Sequence, residues 1–394
     1  DRAAIGNVVY DALRRRRSAG WLLDNDTPRA VAFGAVLLEW GETPASLNAT
    51  LDGDRFAPLP LSGAELTSIA ARLSADAPDI IASDCPDWAV PHLQAMFGDD
   101  WVGEAKGLAE RPPLDLRANT LIASRDKVVA ELAETGAAPA RIAPNGLRIP
   151  PIAGSGRHPN VQAEPAFQKG WFEVQDEGSQ IVAELANAKP GMQALDFCAG
   201  AGGKTLLLGA LMKNTGRLYA LDVSEKRLAN LKPRLARSGL SNVHPVRIEH
   251  ERDGKIRRLA GKIDRVLVDA PCSGLGTLRR NPDLKWRQSP EALAELTTKQ
   301  AAILASAARL VKPGGRLVYA TCSVLPEENE AIAQAFGAAH ADFEPLAAGE
   351  LLARLKVEQA ASLCSGGADG QAYLRLWPHL HQTDGFFAAV WQRK

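Results

Sequence analysis

Apolar residues recur at helical spacing through the first part of the chain. Ile5, Val8, Val9 and Leu13 form one such set, and Val31, Phe33, Val36, Leu37 and Trp40 another, with Pro28 where a first helical turn tolerates it. The pattern predicts a mainly helical segment over 1–85. Trp88, Val90, Leu93, Met96 and Phe97 predict another helix between 86 and 110, and Pro112-Pro113 ends it. From 114 the texture becomes short strand, helix, short strand: Leu114-Asp115-Leu116-Arg117, then 127–134, then Gly146-Leu147-Arg148-Ile149. A loop rich in Pro and Gly over 150–165 leads to Trp171-Phe172-Glu173-Val174 and a helix over 177–186. Beyond 193 the order strand, turn, helix repeats, with strands expected near 193–197, 217–221, 244–248, 264–269 and 315–320 and a last one over 385–391. That succession predicts an α/β fold, a mainly parallel sheet with helices on both faces. The stretch 347–377 carries no functional signal.

At 394 residues the chain exceeds one ordinary core, and three parts are expected: 1–85 helical, 86–175 a linker helix with a small α+β subdomain, and 176–394 the α/β domain. Hydrophobic residues make up 46%, yet no apolar run approaches the ~18 residues that span a bilayer. Lys plus Arg and Asp plus Glu are equal at 46 each, so any surface for a polyanion must be local. The opening Asp1-Arg2-Ala3-Ala4-Ile5 shows neither an initiator methionine nor a signal-peptide pattern, which predicts a chain that begins inside its gene product. Cys85, Cys198, Cys272, Cys322 and Cys364 stand isolated, so neither a metal site nor a disulfide framework is indicated, and the expected setting is a reducing cytosol.

Two of these cysteines fall just past apolar runs that read as buried strands. Arg265-Val266-Leu267-Val268 precedes Asp269-Ala270-Pro271-Cys272-Ser273-Gly274, and Arg316-Leu317-Val318-Tyr319 precedes Ala320-Thr321-Cys322-Ser323. A lone cysteine is most often a small buried hydrophobe. Two thiols at two strand ends, where open α/β sheets form their active crevice, point instead to covalent chemistry.

A nucleotide-type loop follows another such run. Ala194-Leu195-Asp196-Phe197 leads into Cys198-Ala199-Gly200-Ala201-Gly202-Gly203-Lys204-Thr205 and an apolar helix. The glycines allow a tight turn and close approach to the backbone, and the helix start supplies unpaired N–H groups. A Walker A loop would need glycine where Cys198 stands, and a dinucleotide GxGxxG counted from Gly200 would need glycine at Thr205. Both phosphate-binding readings therefore lose ground to S-adenosylmethionine. Asp222, after Arg217-Leu218-Tyr219-Ala220-Leu221, is placed to accept ribose hydroxyls, or else to cap the helix starting near Ser224. Lys204 reads equally as a ligand contact and as a solvated lysine.

The ordered set of Cys198 to Lys204 with Asp222, Asp269 to Gly274 with Arg279-Arg280-Asn281-Pro282-Asp283-Leu284-Lys285-Trp286, and Tyr319-Ala320-Thr321-Cys322-Ser323-Val324-Leu325-Pro326-Glu327-Glu328-Asn329 resembles the RsmB/Sun-type RNA 5-methylcytosine methyltransferases of the bacterial ribosomal RNA branch. The resemblance covers roughly 112–394 and includes Asp384-Gly385-Phe386-Phe387; residues before 86 look more loosely like a NusB-like RNA-binding domain. It implies a Rossmann-like methyltransferase fold, S-adenosylmethionine as cofactor and a ribosomal RNA substrate, in a cytoplasmic, monomeric protein without metal or membrane partner. By resemblance Cys322 is the nucleophile, Cys272 assists product release and Asp269 holds the cytosine edge. The implied cofactor positions are Cys198, Ala199, Gly200, Ala201, Gly202, Gly203, Lys204, Asp222, Arg227 and Asp269. Two departures stand out. Gly200-Ala201 replaces the family's alanine-proline, and Ile248-Glu249-His250-Glu251-Arg252-Asp253 lacks its usual adenine-side aspartate.

Arg279, Arg280 and Lys285, with Arg287, cluster around Trp286 and are expected to meet RNA phosphates and a base, unless Trp286 is simply core. Arg14-Arg15-Arg16-Arg17 reads as an RNA-backbone contact or an ordinary exposed turn. Two other functions stay open. In a DNA cytosine methyltransferase the Pro-Cys block would carry the nucleophile, making it Cys272 and leaving Cys322 without a role. A non-catalytic RNA-binding assembly factor is the other, and intact Cys272, Cys322, Asp269 and Lys204 argue against it.

Overall fold

The computed structural model describes residues 2–367 and 370–394. Asp1 and the pair Ala368-Asp369 lie outside them, and so do parts of the sequence readings made for the start of the chain and for 347–377. Two compact units are present: one of Asp1–Pro112, Pro151–His158 and Thr277–Ser289, the other of Pro113–Pro150, Pro159–Gly276 and Pro290–Lys394.

The first unit is helical: Arg2–Arg14, Arg16–Leu23, Pro28–Glu39, Pro44–Leu51, Gly63–Arg72 and the short Asp79–Ala82 cover the segment to residue 85. Local sequence starts these helices. Thr27, Thr43 and Ser62 each accept a backbone N–H from three residues on, and Thr43 and Ser62 complete reciprocal capping boxes. Leu22, Leu23, Ala30, Phe33, Leu37, Leu47, Leu61 and Ile69 form the core. The single helix expected between 86 and 110 is two, Val90–Phe97 and Trp101–Ala109, because Gly98 at φ +53° breaks the first.

The second unit opens with an antiparallel sheet of β1 (Leu114–Ala118), β2 (Ala138–Pro139), β3 (Gly146–Ile149) and β4 (Phe172–Val174), in the order β2-β3-β1-β4. The large sheet then contains β5 (Gln193–Asp196), β6 (Arg217–Asp222), β7 (Val243–Arg247), β8 (Ile263–Asp269), β9 (Val311–Thr321), β10 (Phe343–Leu346), β11 (Cys364–Ser365), β12 (Tyr373–Leu376) and β13 (Phe386–Arg393). Its order is β11-β12-β13-β9-β8-β5-β6-β7, with β10 also on β13. The pairs from β9 to β7 are parallel, as expected, whereas β13 and the strands beyond it pair antiparallel.

Strand alternation divides the core in two. In β8 and β9, Leu267, Val318 and Ala320 face one apolar cluster with Ile181, Val182, Leu208 and Met212. Val266, Val268, Leu317 and Tyr319 face the other, with Ile303, Leu304, Phe387 and Trp391. This two-sided burial fixes the register of β5, β8 and β9, and with it the loops that leave their carboxyl ends.

Candidate active site

The carboxyl ends of β9, β8, β5 and β6 are adjacent in the sheet, and each delivers a segment singled out in the sequence. After β5 the glycine loop turns through Gly200 at φ +57° and Gly202 at φ +87° into the helix Gly203–Leu211. A Cβ on Gly202 would lie 2.1 Å from Leu231 Cδ1, so glycine is needed there for conformation and for space. Asp222, at the end of β6, accepts from Gly200 N at 2.8 Å and Ser224 N at 2.7 Å. It is not the helix cap: Ser224 is, accepting from Arg227 N. The Arg227 side chain is exposed. Arg234 donates to Ala201 O at 2.8 Å and pairs with Glu173 of β4, which braces the loop from the small sheet.

Lys204 is buried rather than solvated, and its Nζ meets Asp269 Oδ2 at 2.7 Å. Burial pulls the Lys204 pKa down, but the charge and hydrogen bond of Asp269 carry it above the ordinary lysine value. Asp196 is buried below the loop, with Oδ2 on Thr205 Oγ1 at 2.7 Å and Oδ1 without a hydrogen-bond partner among the described residues. The Cys198 thiol is pushed well up, by burial first and then by the charges of Asp196, Asp269 and Asp222. Three carboxylates against the Lys204 ammonium suit a cationic ligand better than a polyphosphate. The sulfonium and amino group of S-adenosylmethionine fit that balance, with Asp196 Oδ1 an orphaned buried acceptor beneath the loop.

Cys272 and Cys322 come together at a sulfur–sulfur distance of 3.4 Å. The hydrogen bond to Cys322 and then burial push the Cys272 thiol well above its usual pKa. Their loops are also joined through the backbone: Gly276 N donates to Cys322 O at 2.9 Å, and Gly385 N to Gly276 O at 2.8 Å. Asp269 closes β8 and Thr321 closes β9, so the carboxylate, the two thiols and the glycine loop share one end of the sheet.

A family model for 16S rRNA methyltransferase RsmB/F matches residues 183–392, and one for the ferredoxin-like domain of RsmF/B-like methyltransferases matches 85–151. The chain belongs to the RsmB/F methyltransferase family. It is 38% identical over 313 residues to the probable ribosomal RNA small subunit methyltransferase B of Synechocystis sp., covering 77% of this chain and 66% of that protein. The ribosomal RNA small subunit methyltransferase B of Escherichia coli is 29% identical, over 99% of this chain and 90% of that one. The solved structure of PH0851 matches at a TM-score of 0.76 and 27% identity, covering 98% of this chain and 89% of that chain. RsmB/F enzymes are S-adenosylmethionine-dependent, with a Rossmann-like catalytic domain.

Other family motif residues behave differently from the sequence reading. Arg279 and Lys285 are corrected as RNA contacts: both are buried, at 1% and 3% exposure, within the helical unit. Lys285 Nζ donates to Arg14 O and Trp286 Nε1 to Leu13 O, while Arg14 donates to Arg279 O. Both charges are turned inward, away from phosphate, and the Lys285 ammonium ties the segment to Arg14 O. Arg280 is half-buried, and exposed Arg287 pairs with Asp283 at 2.9 Å. Within the arginine run, Arg14 pairs with Asp11, Arg15 with Glu39 and Arg17 with Asp87. Asp253, near the place of the missing adenine-side aspartate, caps Gly254–Arg257. Among the described residues no helix is long and apolar enough to cross a membrane and no group of three metal-ligating side chains forms.

Sequence reasoning missed the support under the thiols. Glu328, Ser273, Ser323, Asn329 and Gln300 are fully or nearly fully buried and hydrogen-bonded to one another or to the cysteine loops. Polar residues following Cys322 in a loop were the available signal, with no periodicity to say that they face inward.

Proposed function

We propose that this chain methylates carbon 5 of a cytosine in small-subunit ribosomal RNA through a covalent adduct on Cys322. The observation that carries the reading is the 3.4 Å approach of Cys272 and Cys322 at a sheet end that also holds the Asp269–Lys204 pair. Carbon 5 of cytosine is a weak nucleophile. Addition of the Cys322 thiolate to carbon 6 turns the ring into an enamine, with the new charge spread to nitrogen 3. Nitrogen 3 takes up a proton from the Lys204 ammonium through Asp269, which neutralises that charge and leaves Lys204 as the amine until release returns the proton. S-adenosylmethionine supplies the electrophilic methyl that carbon 5 takes. Release then requires the carbon 5 proton to leave to a base, the 5,6 double bond to re-form, and the bond from carbon 6 to Cys322 Sγ to break. Cys272, kept protonated by its raised pKa, donates its S–H toward the departing Cys322 thiolate. The ribosomal RNA substrate is supported by the names of the relatives, and monomeric action and a cytoplasmic setting are parts of the same proposal.

The test is tritium transfer from labelled cofactor with the purified chain. Small-subunit RNA should be labelled and duplex DNA of matching sequence should not, and Asp222→Ala should weaken cofactor binding by calorimetry. Equal labelling of DNA would make Cys272 the better nucleophile and overturn the assignment; equal affinity for NAD, or an unaffected Asp222→Ala, would remove the cofactor.

A further inference from the structure

Neither the attack nor the release just described uses Glu328, yet its carboxylate is the centre of a fully buried polar network. It accepts from Ser273 N at 2.8 Å, from Ser273 Oγ at 2.5 Å and from Gln300 Nε2 at 2.9 Å. Ser273 follows Cys272 directly, and Gln300, on the helix Pro290–Ala308, also donates to Pro271 O at 3.0 Å on the other side of that cysteine. The Cys322 side is held by the same segment. Tyr319 OH donates to Glu328 O at 2.6 Å, Asn329 bonds Thr321 Oγ1 and Ser323 O, and Ser273 Oγ meets Ser323 Oγ at 3.2 Å. The residues flanking both thiols are therefore anchored to one short stretch of chain.

We infer that Glu328 is a positioning residue that holds Cys272 against Cys322 and so sets the rate at which the RNA adduct is released. A carboxylate suits the place because all three groups aimed at it donate, and a buried acceptor of charge-assisted hydrogen bonds fixes its donors more firmly than a neutral one. The Glu328 charge also helps to raise the Cys272 pKa, after the Cys322 hydrogen bond and burial, keeping Cys272 a thiol that can donate during departure. Removing the carboxylate takes away the acceptor that Ser273 N, Ser273 Oγ and Gln300 Nε2 share, with Gln300 keeping only Pro271 O, and the Cys272 loop loses the contact that aims its sulfur.

The inference rests on the adduct reading above, and the experiment separates the two. Full-length Glu328→Ala is mixed with small-subunit RNA and cofactor; methyl transfer is followed in single turnover, and adduct decay by denaturing electrophoresis. Release should slow by about tenfold or more, a larger factor than the loss of transfer, as expected when buried donors lose a charged acceptor. Glu328→Gln, which keeps an acceptor oxygen for Ser273 N, should recover most of the release rate. In a Cys272→Ala background Glu328→Ala should add little further delay, because both changes remove the same contribution. Ser273→Ala, which deletes a single hydroxyl, should give a smaller delay and serves if Glu328→Ala fails to melt cooperatively. Wild-type release in Glu328→Ala or, should that variant not fold, in Ser273→Ala, equal loss of transfer and release, or full additivity with Cys272→Ala would each overturn the role of Glu328. If Cys272→Ala itself builds up no adduct, the adduct reading fails first.

Discussion

Asp196 carries one carboxylate oxygen on Thr205 and one without a hydrogen-bond partner among the described residues, and burial before all else raises its pKa to about 7. In the unfolded chain an aspartate ionises near ~4. Between about 4 and about 7 the native state thus binds more protons than the unfolded one, so this group lowers stability as pH rises through that window. Glu184, raised to about 7 by burial against the opposing pull of Arg117, acts in the same sense. Asp196→Asn should therefore gain melting temperature relative to the parent at pH 7.5 and lose that advantage near pH 5, in scans without cofactor; a difference independent of pH would refute the assignment. The residues that meet at the sheet end were legible as candidates because each follows an apolar strand run closely. The direction of a long side chain was not. Lys204 reads equally as a ligand contact and as a solvated lysine, and Lys285 as an RNA contact, yet one is buried against Asp269 and the other on Arg14 O, since their acceptors come from distant parts of the sequence.

Six strands of the large sheet, β5 to β9 and β13, and the glycine loop were readable as elements, since continuous apolar runs bounded by turn residues mark buried strands, whereas β10 and β12, four residues each, were not read. Direction was less readable: β13 is as apolar as β8, and nothing in a period of two says that it runs antiparallel to β9. The two-residue β2 and β11 are too short to leave a pattern, and the split of the helix between 86 and 110 depends on one glycine conformation. Close approach between elements is also invisible in sequence. A Cβ on Gly276 would lie 2.1 Å from Gly385 O and 2.8 Å from Cys322 O, where backbone leaves no room to yield. Gly276→Ala should cost about 1–3 kcal/mol of stability, as overpacking does, and lower turnover further by moving the Cys322 loop. Urea melts and methylation assays on the same preparation check this; unchanged stability with unchanged activity would contradict the geometry.

The whole molecule divides differently from the sequence boundaries. Residue 85 lies inside a compact unit that runs to Pro112 and takes in Thr277–Ser289, the segment that continues from the Cys272 loop, an inclusion that depends on contacts far apart in the chain. Deleting 1–85 removes Leu13 O and Arg14 O, the acceptors of Trp286 and Lys285. Such a truncation should reduce RNA affinity and, even at saturating RNA, methyl transfer, while cofactor affinity changes least. Full transfer by the truncated chain would show that the helical unit does not support that segment. The claim that joins these scales is a covalent bond between Cys322 and cytosine, and it is tested most directly by incubating full-length Cys322→Ala and Cys272→Ala with small-subunit RNA and S-adenosylmethionine and counting adduct on a denaturing gel. The account predicts a methylated protein–RNA adduct that accumulates in Cys272→Ala and is absent from Cys322→Ala and from the double variant. Adduct in Cys322→Ala with none in Cys272→Ala would contradict it and move the nucleophile to Cys272.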